Sequence, residues 1–406
     1  MFLFMAKRLL FIVIVLSFTR FNVWAQQDVS FSIQAHEDDW QLFMSSKIVA
    51  DLTASGKVVF ITLTAGDAGN GDGAYSGGNP FYLSREMGSV YSAKFAADIT
   101  SGTTPLPVPT ATIAAVNGHN ITKYIYGNTV SYFLRLPDGD FDGNGFPITG
   151  NKSLQKLRQG NITSLTSVEN SATYTGWSDL TNTIKQIILN EKGTDNQVWM
   201  YTASLDNNAN PGDHSDHLYA AHAGQDAVSA MLWVGIAEFV DYASTSMPAN
   251  LSATDHENAA AIFMLSEWGI TEKEYASSFV PNHTAWLPMD YFAVKRNPSG
   301  NAPFTIIGEE NIAGNKMTSI PMIVSITSPV YTNKDVSMII SPFEKGTLHT
   351  TITDEKGNNI FNTETNIENK DGLLVNMGKI FTQKGRYILV NTLNGKYIET
   401  RKIIVQ

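Results

Sequence analysis

Val29-Ser30-Phe31-Ser32-Ile33-Gln34-Ala35-His36-Glu37-Asp38-Asp39 opens the stretch that decides the fold. Its first part alternates apolar and polar side chains, the period of a strand. After the polar group at 36–39, Leu42, Phe43, Ile48, Val49 and Leu52 recur at helical spacing, which predicts a helix from Trp40 to Ala54 that Gly56 ends. Val58-Val59-Phe60-Ile61-Thr62-Leu63 follows, a short β-branched and apolar run that suits a buried strand. Strand, helix and strand in this order make a βαβ unit and hence a parallel sheet.

Working outward, residues 65–80 are rich in Gly, Asp and Asn and read as a loop. A helix is expected from about Leu83 to Asp98, an irregular Thr/Pro/Ala stretch over 100–117, and a strand from Val130 to Leu136. Then come a polar loop at 137–145, a helix from about Asp179 to Asn190, and a strand from Gln197 to Thr202. The loop Ser204–Asp213 opens a helix carrying His217, Ala220, Ala221 and Ala227, and the alternation continues to about residue 300. From residue 318 the character changes to short alternating strands with Gly or Asn turns and no helical period. The expected class is therefore α/β, a Rossmann-like and mostly parallel sheet with helices on both faces, spanning 26–317. A small all-β sandwich at 318–406 follows it.

Lys7 and Arg8, the apolar run Leu9–Leu16, and Ala25 with Val23 two positions before it have the order of a secretory signal peptide. The run is too short for a bilayer-spanning helix. Residues 1–25 are expected to be cleaved, the chain exported to the periplasm, the cell surface or the medium, and the mature chain to have no membrane span. Cleavage would remove Lys7, Arg8 and Arg20 and no acid, leaving 25 basic against 38 acidic side chains, a balance of −13. That argues against nucleic acid as a partner, since phosphate binding needs a basic surface. With no cysteine, any metal must be held by nitrogen and oxygen ligands.

Two clusters suit such a metal. His36-Glu37-Asp38-Asp39 stands just after the first strand and His214-Ser215-Asp216-His217 after a later one. The carboxyl ends of parallel strands are where open α/β sheets build sites. His36 and Asp39, three apart, can turn to one ion, and His217 can complete a set of three protein ligands. Asp38 can take a proton from water whose pKa the metal has lowered. His214 can stabilise an oxyanion as imidazolium or donate a proton to a leaving amine. Asp138, Asp140, Asp142 and Asn144 alternate as calcium ligands often do, but no Glu closes an EF-hand, and the loop reads as substrate-side or structural. His222 reads as a helix-surface residue or a neighbour of a ligand, and His119, His256, His283 and His349 have no recognisable partner.

These two clusters resemble the paired signatures of the LmbE-like (PIG-L) zinc deacetylases. The family's first motif is usually Ala-His-Pro-Asp-Asp-Glu, whereas this chain has Ala35 and His36, then Glu37 for Pro and Trp40 for Glu. The second is usually His-Pro-Asp-His, with Ser215 here for Pro. Thr62–Gly69, Arg85-Glu86-Met87-Gly88 and Leu134–Gly139 are similar to further family segments, so the resemblance covers about 29–240. It implies zinc, or another divalent ion, on His36, Asp39 and His217, Asp38 as general base, and His214 as oxyanion partner or acid. It also implies Arg85 and Asp138 as substrate contacts, and hydrolysis of the N-acetyl group of an N-acetylglucosamine-containing sugar or glycoconjugate. Two alternatives stand beside it: a sugar-binding protein with a metal site but no turnover, and hydrolysis of a different amide or ester. The last domain more weakly resembles C-terminal sorting domains of type IX secretion, through Asp354-Glu355-Lys356-Gly357-Asn358, Gly385-Arg386-Tyr387 and the basic–apolar end Lys402–Val405. That would make the type IX machinery a partner. A β-sandwich accessory module, such as one that binds carbohydrate, fits these residues equally.

Overall fold

The computed structural model describes residues 29–54, 56–72, 79–193, 198–229, 231, 234–296, 322–326, 330–342, 345–354, 358–367, 373–394 and 396–405. The expected signal peptide, the domain boundary at 317/318 and the turn residues Glu355–Gly357 lie outside these.

The opening stretch forms β1 (Val29–Gln34), two short helices α1 (Asp39–Phe43) and α2 (Ser45–Thr53), and β2 (Lys57–Thr64). The single helix expected over 40–54 is broken at Met44, whose φ of −132° leaves the helical region. Ser45 and Ser46, weak helix formers, follow the break. The break lets α1 bury all five of its residues while α2 turns Ile48 and Leu52 inward. Next come α3 (Phe81–Ser101), β3 (Thr112–Val116), β4 (His119–Tyr126) and β5 (Thr129–Leu136). The hairpin β3–β4 corrects the irregular reading of 100–117. Its turn is Asn117-Gly118, with φ of +50° and +82°, the pair that favours a tight primed hairpin turn.

The chain continues through α4 (Leu154–Arg158), a small ribbon β6 (Ser164–Thr166) and β7 (Thr173–Thr175), α5 (Gly176–Glu191), β8 (Val198–Ala203) and α6 (Ser215–Val228). It ends this region with β9 (Val234–Phe239), α7 (Ala253–Glu272), α8 (Pro281–Thr284) and β10 (Phe292–Arg296). Eight strands form one sheet in the order β10-β9-β8-β1-β2-β5-β4-β3. The central run β9-β8-β1-β2-β5 is parallel and the outer strands are antiparallel.

Successive side chains of each central strand face opposite layers, as the pleat requires. Val59 and Ile61 of β2 join Leu180, Ile184 and Ala220 of α5 and α6 on one face. Val58 and Phe60 join Ile48, Ala93 and Phe263 of α2, α3 and α7 on the other. The class is thus α/β with helices on both faces of a largely parallel sheet. On the second face α3 crosses α7 where Gly88 meets Gly269; a Cβ on either would collide with the other helix's backbone. β1 is the topological switch, because the chain runs from it to β2 and β5 on one side and to β8 and β9 on the other. Crevices at such switch points are where ligands bind in open α/β sheets.

The C-terminal part is all-β. β11 (Met322–Ile326), β12 (Val336–Pro342) and β15 (Leu373–Gly378) make one antiparallel sheet; β13 (Gly346–Asp354), β14 (Asn359–Ile367), β16 (Gly385–Leu393) and β17 (Lys396–Val405) make another. Met338 and Val375 of the first share a core with Leu348, Ile352 and Leu389 of the second, which makes a small sandwich. Among the described residues no helix is long and apolar enough to cross a membrane.

Candidate metal centre

The carboxyl ends of β1 and β8 bring the two clusters together. His36 leaves β1 in the turn that opens α1, and Asp39 lies in the first turn of that helix. Asp39 Oδ2 accepts the backbone N–H groups of Ala35 and His36, each at 2.9 Å, so this oxygen closes the turn and Oδ1 faces the histidines. His36 Nδ1 is 3.3 Å from Asp39 Oδ1, His217 Nε2 is 3.2 Å from the same oxygen, and the two ring nitrogens are 3.2 Å apart. A tetrahedral ion about 2.0–2.1 Å from nitrogen and oxygen ligands needs edges of roughly 3.3–3.4 Å. The triangle of donors therefore fits a zinc-type ion with only slight expansion.

The far nitrogens are held by carboxylates. His217 Nδ1 lies 2.9 Å from Asp213 Oδ1 and 3.3 Å from Asp241 Oδ2. Donation from Nδ1–H leaves the Nε2 lone pair for a metal, the usual way a protein fixes a ligand's tautomer. His36 Nε2 lies 3.7 Å from Asp216 Oδ2. Asp216 also accepts the N–H of Gly139 at 2.7 Å, so the loop after β5 braces the same carboxylate. Neither Asp213 nor Asp241 was expected from the sequence. Asp213 precedes the histidine motif directly, but Asp241 arrives through the register of β8 against β9.

The electrostatics match a cation. Burial disfavours charge on His36, yet Asp39 and Asp216 outweigh it and raise its pKa to about 10. Burial likewise works against ionised Asp39, yet His217 and His36 hold it well below the usual carboxylate range. The surrounding acids are in surplus. Burial, despite Arg85, pushes Glu37 up to about 8; burial and then Asp213 push Asp241 up to about 8. One oxygen each of Glu37, Asp216 and Asp241 is buried with no hydrogen-bond partner. Seven carboxylates in and around the site (Glu37, Asp38, Asp39, Asp138, Asp213, Asp216 and Asp241) are buried or half-buried, with Arg85 the fixed cation among them.

Asp38 pairs with the Arg85 guanidinium, which also donates to the carbonyl of Gly66 at 2.8 Å and lies 3.5 Å from Glu37. Gly66 has a φ of +49°, and a Cβ there would collide with Arg85 and Glu37. Arg85, expected from the sequence as a substrate contact, is here the residue that fixes Asp38. His214 caps α6: its Nδ1 accepts the N–H of Asp216 at 3.1 Å. That bond assigns the ring proton to Nε2 and does not fit an imidazolium. Burial, reinforced by His36 and His217, lowers its pKa to about 2. The imidazolium considered from the sequence is thereby corrected to a neutral ring with an N–H donor.

All seven expected residues, His36, Asp38, Asp39, Arg85, Asp138, His214 and His217, line one cavity of about 170 Å³. Leu42, Phe43, Tyr242, His283 and Trp286 complete its wall, and the sequence singled out none of them as site residues. Asp138 accepts the N–H groups of Ala68 and Asp140. The rest of its loop closes on itself, Asp140 accepting from Phe141 and Asp142 from Asn144, which fits a structural loop rather than a calcium cage. His222 packs by Tyr219 on α6 and His119 pairs with Asp179 at 3.0 Å, both away from the cavity.

No family model and no curated protein matches the chain. Solved structures with partial likeness include the N,N'-diacetylchitobiose deacetylase from Pyrococcus horikoshii, at 13% identity and a TM-score of 0.34, covering 62% of this chain and 71% of that one. Another is the A40926 pseudoaglycone deacetylase Dbv21, at 14% identity and 0.33, covering 61% and 82%. A third is GalB, the 4-carboxy-2-hydroxymuconate hydratase from Pseudomonas putida, at 11% identity and 0.34, covering 64% and 83%. At these TM-scores the likenesses assign no activity to the chain.

Proposed function

We propose that this chain is a metal-dependent amide hydrolase that removes the N-acetyl group from an N-acetylglucosamine-containing sugar or glycoconjugate. The observation that carries the metal is the donor triangle of His36 Nδ1, Asp39 Oδ1 and His217 Nε2, with edges of 3.2–3.3 Å. Support for the acetylated sugar is the sequence resemblance of the two histidine motifs. Nitrogen and oxygen donors suit zinc, and other divalent ions share that preference. When bound, the ion supplies Lewis acidity and brings the pKa of water it holds towards roughly 7.

The chain's own residues then divide the work. Asp38, oriented by Arg85, takes a proton from the attacking water. The water oxygen bonds to the acyl carbon, and His214 Nε2–H donates to the carbonyl oxygen as charge builds there. The carbon–nitrogen bond breaks, the proton held by Asp38 passes to the departing nitrogen, and acetate and a free amine result. Export is part of this reading and rests on the basic, apolar and small-residue order of residues 1–25.

Metal analysis of the purified protein and acetate release from N-acetylglucosamine derivatives test it. The expected result is bound or restorable zinc with acetate release that Asp38→Asn abolishes. Protein that holds no divalent ion, and that added zinc does not activate, would sink the proposal.

A further inference from the structure

Two helices of one outer layer, α3 and α7, are apolar on the side away from the core as well as on the side that meets it. α7 turns Ile262, Phe263 and Ile270 inward. Its opposite face carries Leu265, which is half-buried, with Met264 and Trp268, which are 46% and 59% exposed. A helix that borders water normally keeps that side polar. α3 repeats the pattern: Ala93 and Ala96 are buried, while Tyr91, Phe95 and Ile99 recur at four-residue spacing on its outer side. Between the two outer faces lies a second cavity, of about 390 Å³, lined by Tyr91, Lys94, Phe95, Asp98, Leu265 and Trp268, and by Val108 of the segment after α3. That segment is pinned down, because Leu106 N–H donates to Tyr126 Oη at 2.8 Å and the Tyr126 hydroxyl donates to Asp98.

Single exposed apolar side chains are ordinary. Five on one face, Ile99, Leu106, Val108, Met264 and Trp268, are a patch. At roughly 150–250 Å² for a large apolar residue, their exposed fractions amount to on the order of 400–600 Å². That is the upper part of the range for the largest patch on a monomer, and more than half of the roughly 800 Å² that each partner contributes to a stable complex. The polar groups around the cavity are already engaged. Lys94 pairs with Asp98 and lies 4.8 Å from the centre of the Tyr126 ring, and Tyr91 donates to Glu272 at 2.7 Å. What the face leaves unmet is therefore apolar area, which a protein surface covers better than a hydroxylated or charged ligand does. The face also supplies its own complement. Trp268 projects at the cavity rim, and Leu106, 64% exposed, stands two positions before Val108. A twofold axis sets the projections of one copy against the cavity of the other, and each rim brings a cation and an anion together.

We propose that the outer faces of α3 and α7, with the segment 102–111, form the interface of a twofold dimer of this chain, in which Trp268 and Leu106 of each copy seat in the α3–α7 cavity of the other. The inference is independent of the hydrolase reading, because none of these residues lines the metal centre.

Sedimentation velocity on the purified protein, from tens of nanomolar to tens of micromolar, tests it. The parent is expected to pass from one copy to two across that range. Trp268→Glu and Leu106→Asp should each weaken the dimer roughly 30-fold or more, the scale of a buried anchor residue, with the thermal transition of the single copy kept. Leu189→Glu, an exposed apolar position on α5 across the sheet, should leave the dimer unchanged. Because the chain has no cysteine, Met264→Cys places a single thiol in the interface without adding charge. A maleimide should modify that thiol slowly at tens of micromolar and at full rate at tens of nanomolar. A parent that sediments as one copy at every concentration overturns the proposal. So does a dimer that both charged variants leave intact, or a Met264→Cys thiol that reacts at full rate while the protein sediments as a dimer.

Discussion

Asp213 Oδ1 lies 2.9 Å from His217 Nδ1, and Asp213 is also the residue whose other oxygen accepts from Asn210 Nδ2 at 2.7 Å. Asn210 in turn accepts the N–H of Asp241. The His217 ring is therefore held by a chain of bonds that runs through the loop before α6 to the end of β9. Replacing Asp213 by Asn should leave the fold intact and weaken zinc binding by roughly 10–100-fold, the usual effect of losing such a partner. Competition with a chromogenic chelator measures it; unchanged affinity would mean that Asp241 alone holds the ring.

Ligand and base should separate cleanly. His36→Ala and His217→Ala are expected to lose both metal and turnover. Asp38→Asn should keep stoichiometric metal and lose about 10²–10⁴-fold in rate. Elemental analysis beside acetate release distinguishes the two classes. Equal metal loss in Asp38→Asn would show that base and ligand have been interchanged.

Gly66 makes a steric prediction. Gly66→Ala adds a methyl where Arg85 and Glu37 already sit, at a φ of +49°. The protein should lose roughly 1–3 kcal/mol of stability, and the Arg85–Asp38 pair should shift. Denaturant unfolding and kcat measured together check it. A variant with parent stability and parent kcat would contradict the crowding at this turn.

A pH dependence follows from Glu191, at the end of α5. Burial opposes its charge, but Lys123, Lys57 and Tyr132 overcome that and lower its pKa from 4.5 to about 2. A carboxylate depressed in the folded state contributes stability that is present above its unfolded pKa and lost as pH falls through its folded value. The contribution should therefore fade between about pH 4.5 and 2. Glu191→Gln should lower the thermal transition at pH 7, by about 1–2 kcal/mol for the lost hydrogen bonds, and narrow its gap to the parent towards pH 2. A gap independent of pH would show that Glu191 acts through packing alone.

The sequence carried the βαβ unit and the two histidine clusters that meet at the cavity because their signals are local: alternation in β1 and β2, and three-residue spacing in each histidine cluster. The hairpin at 112–126 was equally local, since Asn117-Gly118 marks it, but composition over 100–117 obscured that pair. Tyr242, His283 and Trp286 are another matter. Their surroundings in sequence say nothing by themselves; the ends of β9 and α8 carry them to the cavity, and only tertiary pairing shows where they arrive. His214 was found for the right place and with the wrong charge, because its bond to the Asp216 N–H depends on how α6 begins.

His36 and His217 stand 181 positions apart and meet at one point. An ion that joined them would close a very long loop, and the entropy it removes from the unfolded chain grows with the logarithm of that length. In a chain without a single cysteine, such a clamp does what a disulfide does elsewhere. The centre would then be a reversible cross-link as well as a reaction site, set or released by the free concentration of metal around the protein.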